Sequence, residues 1–352
     1  MTLKKESVSF FAHVFSFTIV CAVEAKTGFA PTEILLVKME MLVLKLPGHS
    51  RYDHSNINQR KDYSWPEGKR LAFYIACNVE HFAFGTGLGA DPAHRQGQTT
   101  RNYAWRDYGN RIGQWRLFEI LDELKLPASI LLNSTVCTYY PDMIEKIKQR
   151  GDDIVCHGRT TGEIHTPFWE DDESRVIQEC TQLIEKSVGV RPTGWMGPAA
   201  LESKVTPDLL KEAGYTHLLD WPVDDQPIWM RTRSGPLLSI PYPVELNDFG
   251  TLLARDHTGR QYADMIVDQF DQMLEQSERH PLVCSISLHG FVVGQPFRLK
   301  PLKQAITHCV QHRLKDRVWY TTAGDIAKYC FTLPADLFPG GEEIVQTKRT
   351  SK

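Results

Sequence analysis

Two histidines, a glutamate and several aspartates stand where short apolar runs of this chain stop. Asn78-Val79-Glu80-His81 ends the first run, Asn133-Ser134 the second and His157-Gly158-Arg159 the third. Trp195-Met196-Gly197-Pro198 ends the fourth. Asp220-Trp221, followed by Asp224 and Asp225, ends the fifth, and Tyr242 with Asn247-Asp248 follows the next. Leu288-His289-Gly290 closes a later one. These residue types suit hydrolysis: an imidazole moves protons near neutral pH, and a carboxylate activates water or holds a cation. Asn78 and Glu80 are two apart, so on a strand both side chains face one side.

Taken singly, each has a plain structural explanation. Asp220 or Asp225 can cap a turn, Asn247-Asp248 reads as a turn, and Trp195 and Trp221 suit core packing. Arg159 and Arg298 suit surface ion pairs. Jointly they point to one cleft. In that cleft His289 is the candidate general acid, its tautomer held by Asp220, Asp224 or Asp225. Glu80 is the candidate for water activation, directly or through a weakly held metal. Asn78 would orient water or bind a carbonyl oxygen. Trp195, Asp224, Asp225, Asn247, Asp248, Arg159 and Arg298 are candidate substrate contacts, the two arginines by bidentate bonds to carbonyl or carboxylate oxygens. Glu80 and His157 are candidate ligands for a divalent metal such as zinc, with a third ligand missing, so no cofactor is assigned with certainty.

The elements that must position them are legible in the hydrophobic periodicity. Strands are predicted at 70–79, 128–133, 153–156, 193–196, 216–219, 237–240, 282–288 and 318–321. Helices are predicted at 110–124, 140–150, 172–188, 206–213, 261–279, 302–313 and 323–331. Such alternation predicts a parallel sheet covered by helices, as a single (β/α) barrel of about seven strands, with chemistry at the C-terminal strand ends. No G-x-G-x-x-G or P-loop pattern follows any strand, which disfavours nucleotide chemistry. Residues 83–107 read as a long polar loop.

Forty basic residues against 43 acidic ones leave a net charge of -3, which argues against nucleic acid or an anionic membrane as partner. Eight cysteines in 352 residues, with no C-x-x-C, read as buried thiols rather than a disulfide scaffold or thiolate zinc site. Residues 1–45 read as an extension. Lys4 and Lys5 before an apolar run, with Ala25 after it, have the outline of a secretory signal. A second apolar run containing Met39 and Met41 follows at once, and an internal start there fits as well. The expectation is a barrel over 46–333, a loose tail over 334–352 and a cytoplasmic protein, with secretion the alternative.

Read together, the strand-end motifs resemble the polysaccharide deacetylase superfamily, carbohydrate esterase family four. The branch they resemble contains the metal-independent bacterial allantoinases and related peptidoglycan deacetylases. Arg106-Asp107-Tyr108-Gly109-Asn110-Arg111-Ile112-Gly113 is similar to that branch's signature. Leu131–Asn133 and Asp153–Gly158 follow its next two motifs, and Gly194-Trp195 with Pro198 the one after. Asp220, Asp224, Asp225 and Trp229 match the next. Ser287-Leu288-His289 and Gly294-Gln295-Pro296 with Arg298 match the last. The resemblance spans about residues 50–332. It implies a distorted (β/α) barrel, hydrolysis of non-peptide C–N bonds and a homo-oligomer.

The departures are chemical. Most members open with an Asp-Asp pair, whose places hold Asn78 and Glu80, and an asparagine amide cannot serve as a base. Most carry two histidines four apart, whereas Thr161 stands four after His157. One imidazole is missing, and neither Glu163 nor His165 has the family spacing. The expected substrate is a small amide: an N-acetylated sugar to be deacetylated, or a ureide such as allantoin to be ring-opened. The alternative is a non-catalytic carbohydrate-binding barrel that has lost its metal.

Overall fold

A computed structural model describes residues 46–85, 99–342 and 344. The signal-like segment, Cys21 and the alternative starts lie outside the described residues, as does the stretch 86–98. Nine strands form one sheet: β1 Leu71–Val79, β2 Ser129–Leu132, β3 Asp153–Cys156, β4 Gly194–Trp195, β5 His217–Leu218, β6 Ile228–Met230, β7 Leu237–Ser239, β8 Leu282–His289 and β9 Val318–Thr321. Their order is β6-β7-β5-β4-β3-β2-β1-β8, and all pairs are parallel except β6 with β7. β9 pairs with the first half of β1, and β2 with the second half. The helices are α1 Thr100–Tyr108, α2 Gln114–Leu124, α3 Val136–Tyr139, α4 Pro141–Arg150, α5 Glu170–Val188, α6 Thr206–Glu212, α7 Gly259–Gln276, α8 Gly290–Val293, α9 Pro296–Gln311 and α10 Ala323–Thr332.

β1 shows why the sheet must be covered on both faces. Leu71, Phe73, Ile75, Cys77 and Val79 pack outward against the helices, whereas Ala72, Tyr74 and Ala76 point inward. A strand buried on both faces carries an unbroken apolar run, which is the parallel-sheet signature. The sheet curls into a half-barrel. Its gap is bridged by irregular chain: Val283 N–H donates to the Asp225 carbonyl at 2.9 Å, and Ser287 N–H to that of Leu246 at 3.0 Å. The lower end is plugged by Trp65, Tyr63 and Phe338, with Trp65 Nε1 donating to the Leu282 carbonyl at 3.0 Å.

Phe338 corrects one expectation. The chain is packed past residue 334, because Phe338 is buried edge-on against Tyr63 and the Pro339 carbonyl accepts from Trp229 N–H at 2.8 Å. The expected 83–107 loop is also helical from Thr100, started by a Thr99 side chain that accepts from Asn102 N–H. α9 begins six residues early because Pro296 fits a first helical turn, which has no N–H to lose. The seven described cysteines are free thiols, six of them buried. Among the described residues no helix is long and apolar enough to cross a membrane.

Register carries the strand ends to one level. Asn78 lies beside His289 across β1 and β8. Val79 pairs with Leu132, and Leu132 with Cys156, so Glu80, Asn133 and His157 follow in step. Above β8 the backbones of α8 and of the π-helical turn Gly109–Gly113 touch. A Cβ on Gly113 would sit 1.9 Å from the Gly290 carbonyl oxygen, and one on Gly294 would sit 2.3 Å from the Gly113 Cα. Only glycine permits that approach, which seats the residue after His289.

Candidate active site

Glu80, His157 and His289, each less than a tenth exposed, converge at the C-terminal end of the half-barrel. His157 Nε2 lies 3.4 Å from Glu80 Oε1, and His289 Nε2 lies 3.8 Å from the same oxygen. They line a cavity of about 350 Å3 together with Asn78, Phe82, Arg106 and Asp220.

The proton positions follow from the partners. His157 Nδ1 lies 2.6 Å from the Met196 carbonyl oxygen. A carbonyl only accepts, so the proton is on Nδ1, and in the neutral ring the Nε2 lone pair faces Glu80. His289 Nδ1 lies 2.6 Å from Asp248 Oδ1, and His289 N–H donates to Asp248 Oδ2 at 2.8 Å. Burial pulls the His289 pKa down, but Asp248 and Glu80 outweigh it and leave it above the usual value. Burial raises that of Glu80, but His289, His157 and Arg106 bring it down to about 2. The centre therefore holds a carboxylate, an acid-oriented imidazole and a second imidazole.

Asn133 and Asn110 hold the frame. Asn133 Oδ1 accepts from His81 N–H at 2.9 Å and Thr161 Oγ1 at 2.9 Å, and its amide donates to the His157 carbonyl. Asn110 Nδ2 donates to the Glu80 carbonyl at 2.7 Å. The Arg106 guanidinium lies 3.6 Å over the Phe82 ring. Burial lowers its pKa to about 10, against the pull of Glu80, so it is a cation at neutral pH. Sequence reasoning gave none of these three a role, although Arg106 and Asn110 lie in the 106–113 stretch and Asn133 ends the second strand.

The other expected residues are placed unevenly. Asn78 lines the cavity, but its amide donates to Ser287 Oγ at 2.9 Å and the Leu288 carbonyl at 3.2 Å. Its NH2 is spent, so it offers an acceptor to water rather than a donor to a carbonyl. Asp220 also lines the cavity, where Oδ1 accepts from Gly197 N–H at 2.7 Å. Burial raises its pKa to about 6, and Glu202, itself raised by burial, lies within hydrogen-bond reach. The acid that holds His289 is Asp248, not Asp220, Asp224 or Asp225; Asp248 is thus a positioning residue rather than a substrate contact. Asn247 borders the cavity while its Oδ1 accepts from Phe249 N–H at 3.0 Å.

Five expected contacts lie elsewhere. Strand alternation turns Trp195 outward, fully buried and edge-on to Tyr215 at 5.6 Å, and gives Met196 the inward place. Asp224 accepts both Arg60 Nη1 and Nη2, at 2.7 and 2.6 Å, and with Asp225 lines an adjoining groove. Arg159 is exposed and bonded to Glu163. Arg298 donates to the Val292 carbonyl at 3.3 Å, outside the cavity lining.

A catalytic zinc usually takes three protein ligands. The described residues supply two facing donors, Glu80 and His157. Thr161 Oγ1 is bonded to Asn133, and His165 is buried with Nδ1 3.3 Å from Glu173. The donor set does not fit a tight zinc centre. Asp271, His308 and His312 form a second cluster on α7 and at the end of α9, with His308 Nε2 2.8 Å from Asp271. There His312 Nδ1 accepts from Leu314 N–H, so in the neutral ring its Nε2 carries the hydrogen, 3.8 Å from Asp271.

The family model for polysaccharide deacetylase matches residues 106–218. A Schizosaccharomyces pombe protein, provisionally named a polysaccharide deacetylase, is 25% identical over 279 residues, covering 74% of this chain and 85% of its own. The crystal structure of the PuuE allantoinase superposes with a TM-score of 0.71 at 23% identity, covering 82% of this chain and 98% of that one. A probable polysaccharide deacetylase from Pseudomonas aeruginosa PAO1 gives 0.68 at 24% identity, covering 76% and 93%. With the half-barrel and the strand-end residues in place, the match over residues 106–218 makes the chain similar to the polysaccharide deacetylases, a family of deacetylase-like hydrolases.

Proposed function

We propose that the chain hydrolyses a non-peptide amide bond in this cavity, by deacetylating an N-acetylated sugar or opening a small ureide. The observation that carries the reading is the pair of imidazoles, one tethered to Asp248, facing the single carboxylate of Glu80. A carboxylate held near pKa 2 is a weak base, so Glu80 orients water and keeps His289 protonated. His157 Nε2 accepts the water proton as the oxygen adds to the carbonyl carbon. Arg106 is the buried cation that balances the oxyanion. His289 Nε2 then protonates the leaving nitrogen and the C–N bond breaks, giving a carboxylate and an amine from an acetamide, or a carboxylate and a ureido group in one opened molecule from a ureide.

Two carboxylates and two histidines set in this way serve no purpose in a barrel that only binds sugar. The protein is further proposed to be a homo-oligomer, as the resemblance implies, and to work in the cytoplasm. The test is amine release from N-acetylglucosamine oligomers and simple acetamides, and formation of the ring-opened carboxylate from allantoin, by the full chain and by Glu80→Gln. Release by the wild type and a loss of ~100-fold or more in the variant support the reading. Equal rates in both would remove Glu80 from the reaction.

A further inference from the structure

The cavity is two-sided. Glu80, His157 and His289 stand at the ends of β1, β3 and β8. The opposite side, built from the chain following β4, β5 and β7, presents Met196, Leu219, Pro222, Val244 and Phe249, with Phe82 beside them. Apart from Asp220, which keeps a carboxyl oxygen to offer a ligand, the polar groups on that side are already engaged. Thr161 Oγ1 is bonded to Asn133, Tyr242 Oη to Ser287 Oγ at 2.6 Å, and the Asn247 amide lies 3.3 Å from that same Oγ. A sugar or ureide placed against this side would lose hydrogen bonds to water, at ~1–3 kcal/mol for each buried group left unmatched. A volume of about 350 Å3 lies within the range of small-molecule sites and far exceeds an acetyl group.

Resting on the hydrolase reading above, we infer that the substrate carries an apolar alkyl or aryl substituent on the scissile amide, received by the Met196–Leu219–Phe249 side. The substituent can belong to the acyl or to the amine half. Both halves share the same chemistry, and the experiment separates them. The full chain is assayed with 4-nitroanilides of acetate, butyrate and hexanoate, and with N-acetyl ethylamine, butylamine and hexylamine. N-acetylglucosamine oligomers and allantoin are run beside them.

The expected result is a kcat/KM that climbs about fourfold per added methylene in one series until the cavity is full. Leu219→Asn flattens that climb. Faster turnover of sugars or allantoin, with no chain-length dependence in either series, overturns the inference and leaves the hydrolase reading standing. If no amide is turned over, calorimetry with the same straight-chain amides still reads the cavity. Affinity that rises with chain length then keeps the apolar site and sinks the hydrolase reading, and affinity independent of length overturns the apolar site.

Discussion

Asp248→Asn is the most informative single change. Asp248 receives two N–H groups from one residue, Nδ1–H of His289 at 2.6 Å and its backbone N–H at 2.8 Å. An asparagine offers one oxygen, so its NH2 must confront one of those donors or force the imidazole into the other tautomer. The charge that holds His289 above its usual pKa disappears as well. Both partners are buried, and removing one member of a buried pair costs ~3–5 kcal/mol. At ~1.4 kcal/mol per power of ten, the rate that needs protonated His289 falls by about 10²–10⁴-fold. The sign on pH is fixed: a general acid acts below its pKa, so the alkaline limb of kcat/KM moves to lower pH in the variant. The assay is amine release across the neutral range, with thermal melting as the folding control and NMR titration of the His289 ring as a readout independent of substrate. A kcat/KM within threefold of wild type, with an unmoved alkaline limb, would refute the assignment.

Gly113→Ala should destabilise the fold by ~1–3 kcal/mol or more, because its methyl would meet the Gly290 carbonyl at 1.9 Å; an unchanged melting temperature would contradict that packing. Thr161→His places a third imidazole four residues after His157, and plasma mass spectrometry should find about one zinc per chain in the variant and far less in the wild type. A full equivalent in the wild type would show a third ligand outside the described residues. Glu80 is held at about 2 against an ordinary 4.5, so its contribution to stability is present above 4.5 and is lost as pH falls towards 2. Denaturant unfolding of Glu80→Gln should lack that acid-side loss; identical pH dependence would place the acid sensitivity elsewhere.

The strand ends were legible because a parallel sheet aligns them, and the spacing of Asn78 and Glu80 fixed their common face. Trp195 was not, because β4 is only two residues long, too short for an alternation to show which face is inward. Asp248 was misread because its partner lies 41 residues later in the chain. The segment that carries it crosses the barrel gap as irregular chain, bridging Asn247 to Ser287 without strand periodicity. A turn-like Asn-Asp pair gives no local hint of a buried carboxylate. Arg106 was hidden by the polar composition around it, since α1 has little apolar periodicity and is started by a Thr99 cap. Arg159, just past β3, and Arg298, in the first turn of α9, illustrate the reverse error: a place near the site does not aim a long side chain inward when a carboxylate or carbonyl nearer the surface can satisfy it.

The central claim is that the Glu80–His157–His289 cluster breaks an amide bond with His289 as the acid. Its most direct test is kcat/KM of His289→Ala against wild type on the best amide substrate, with folding verified by thermal melting. The account predicts a loss of at least ~100-fold, as for removal of a general acid. Unchanged turnover by a folded His289→Ala protein would contradict it.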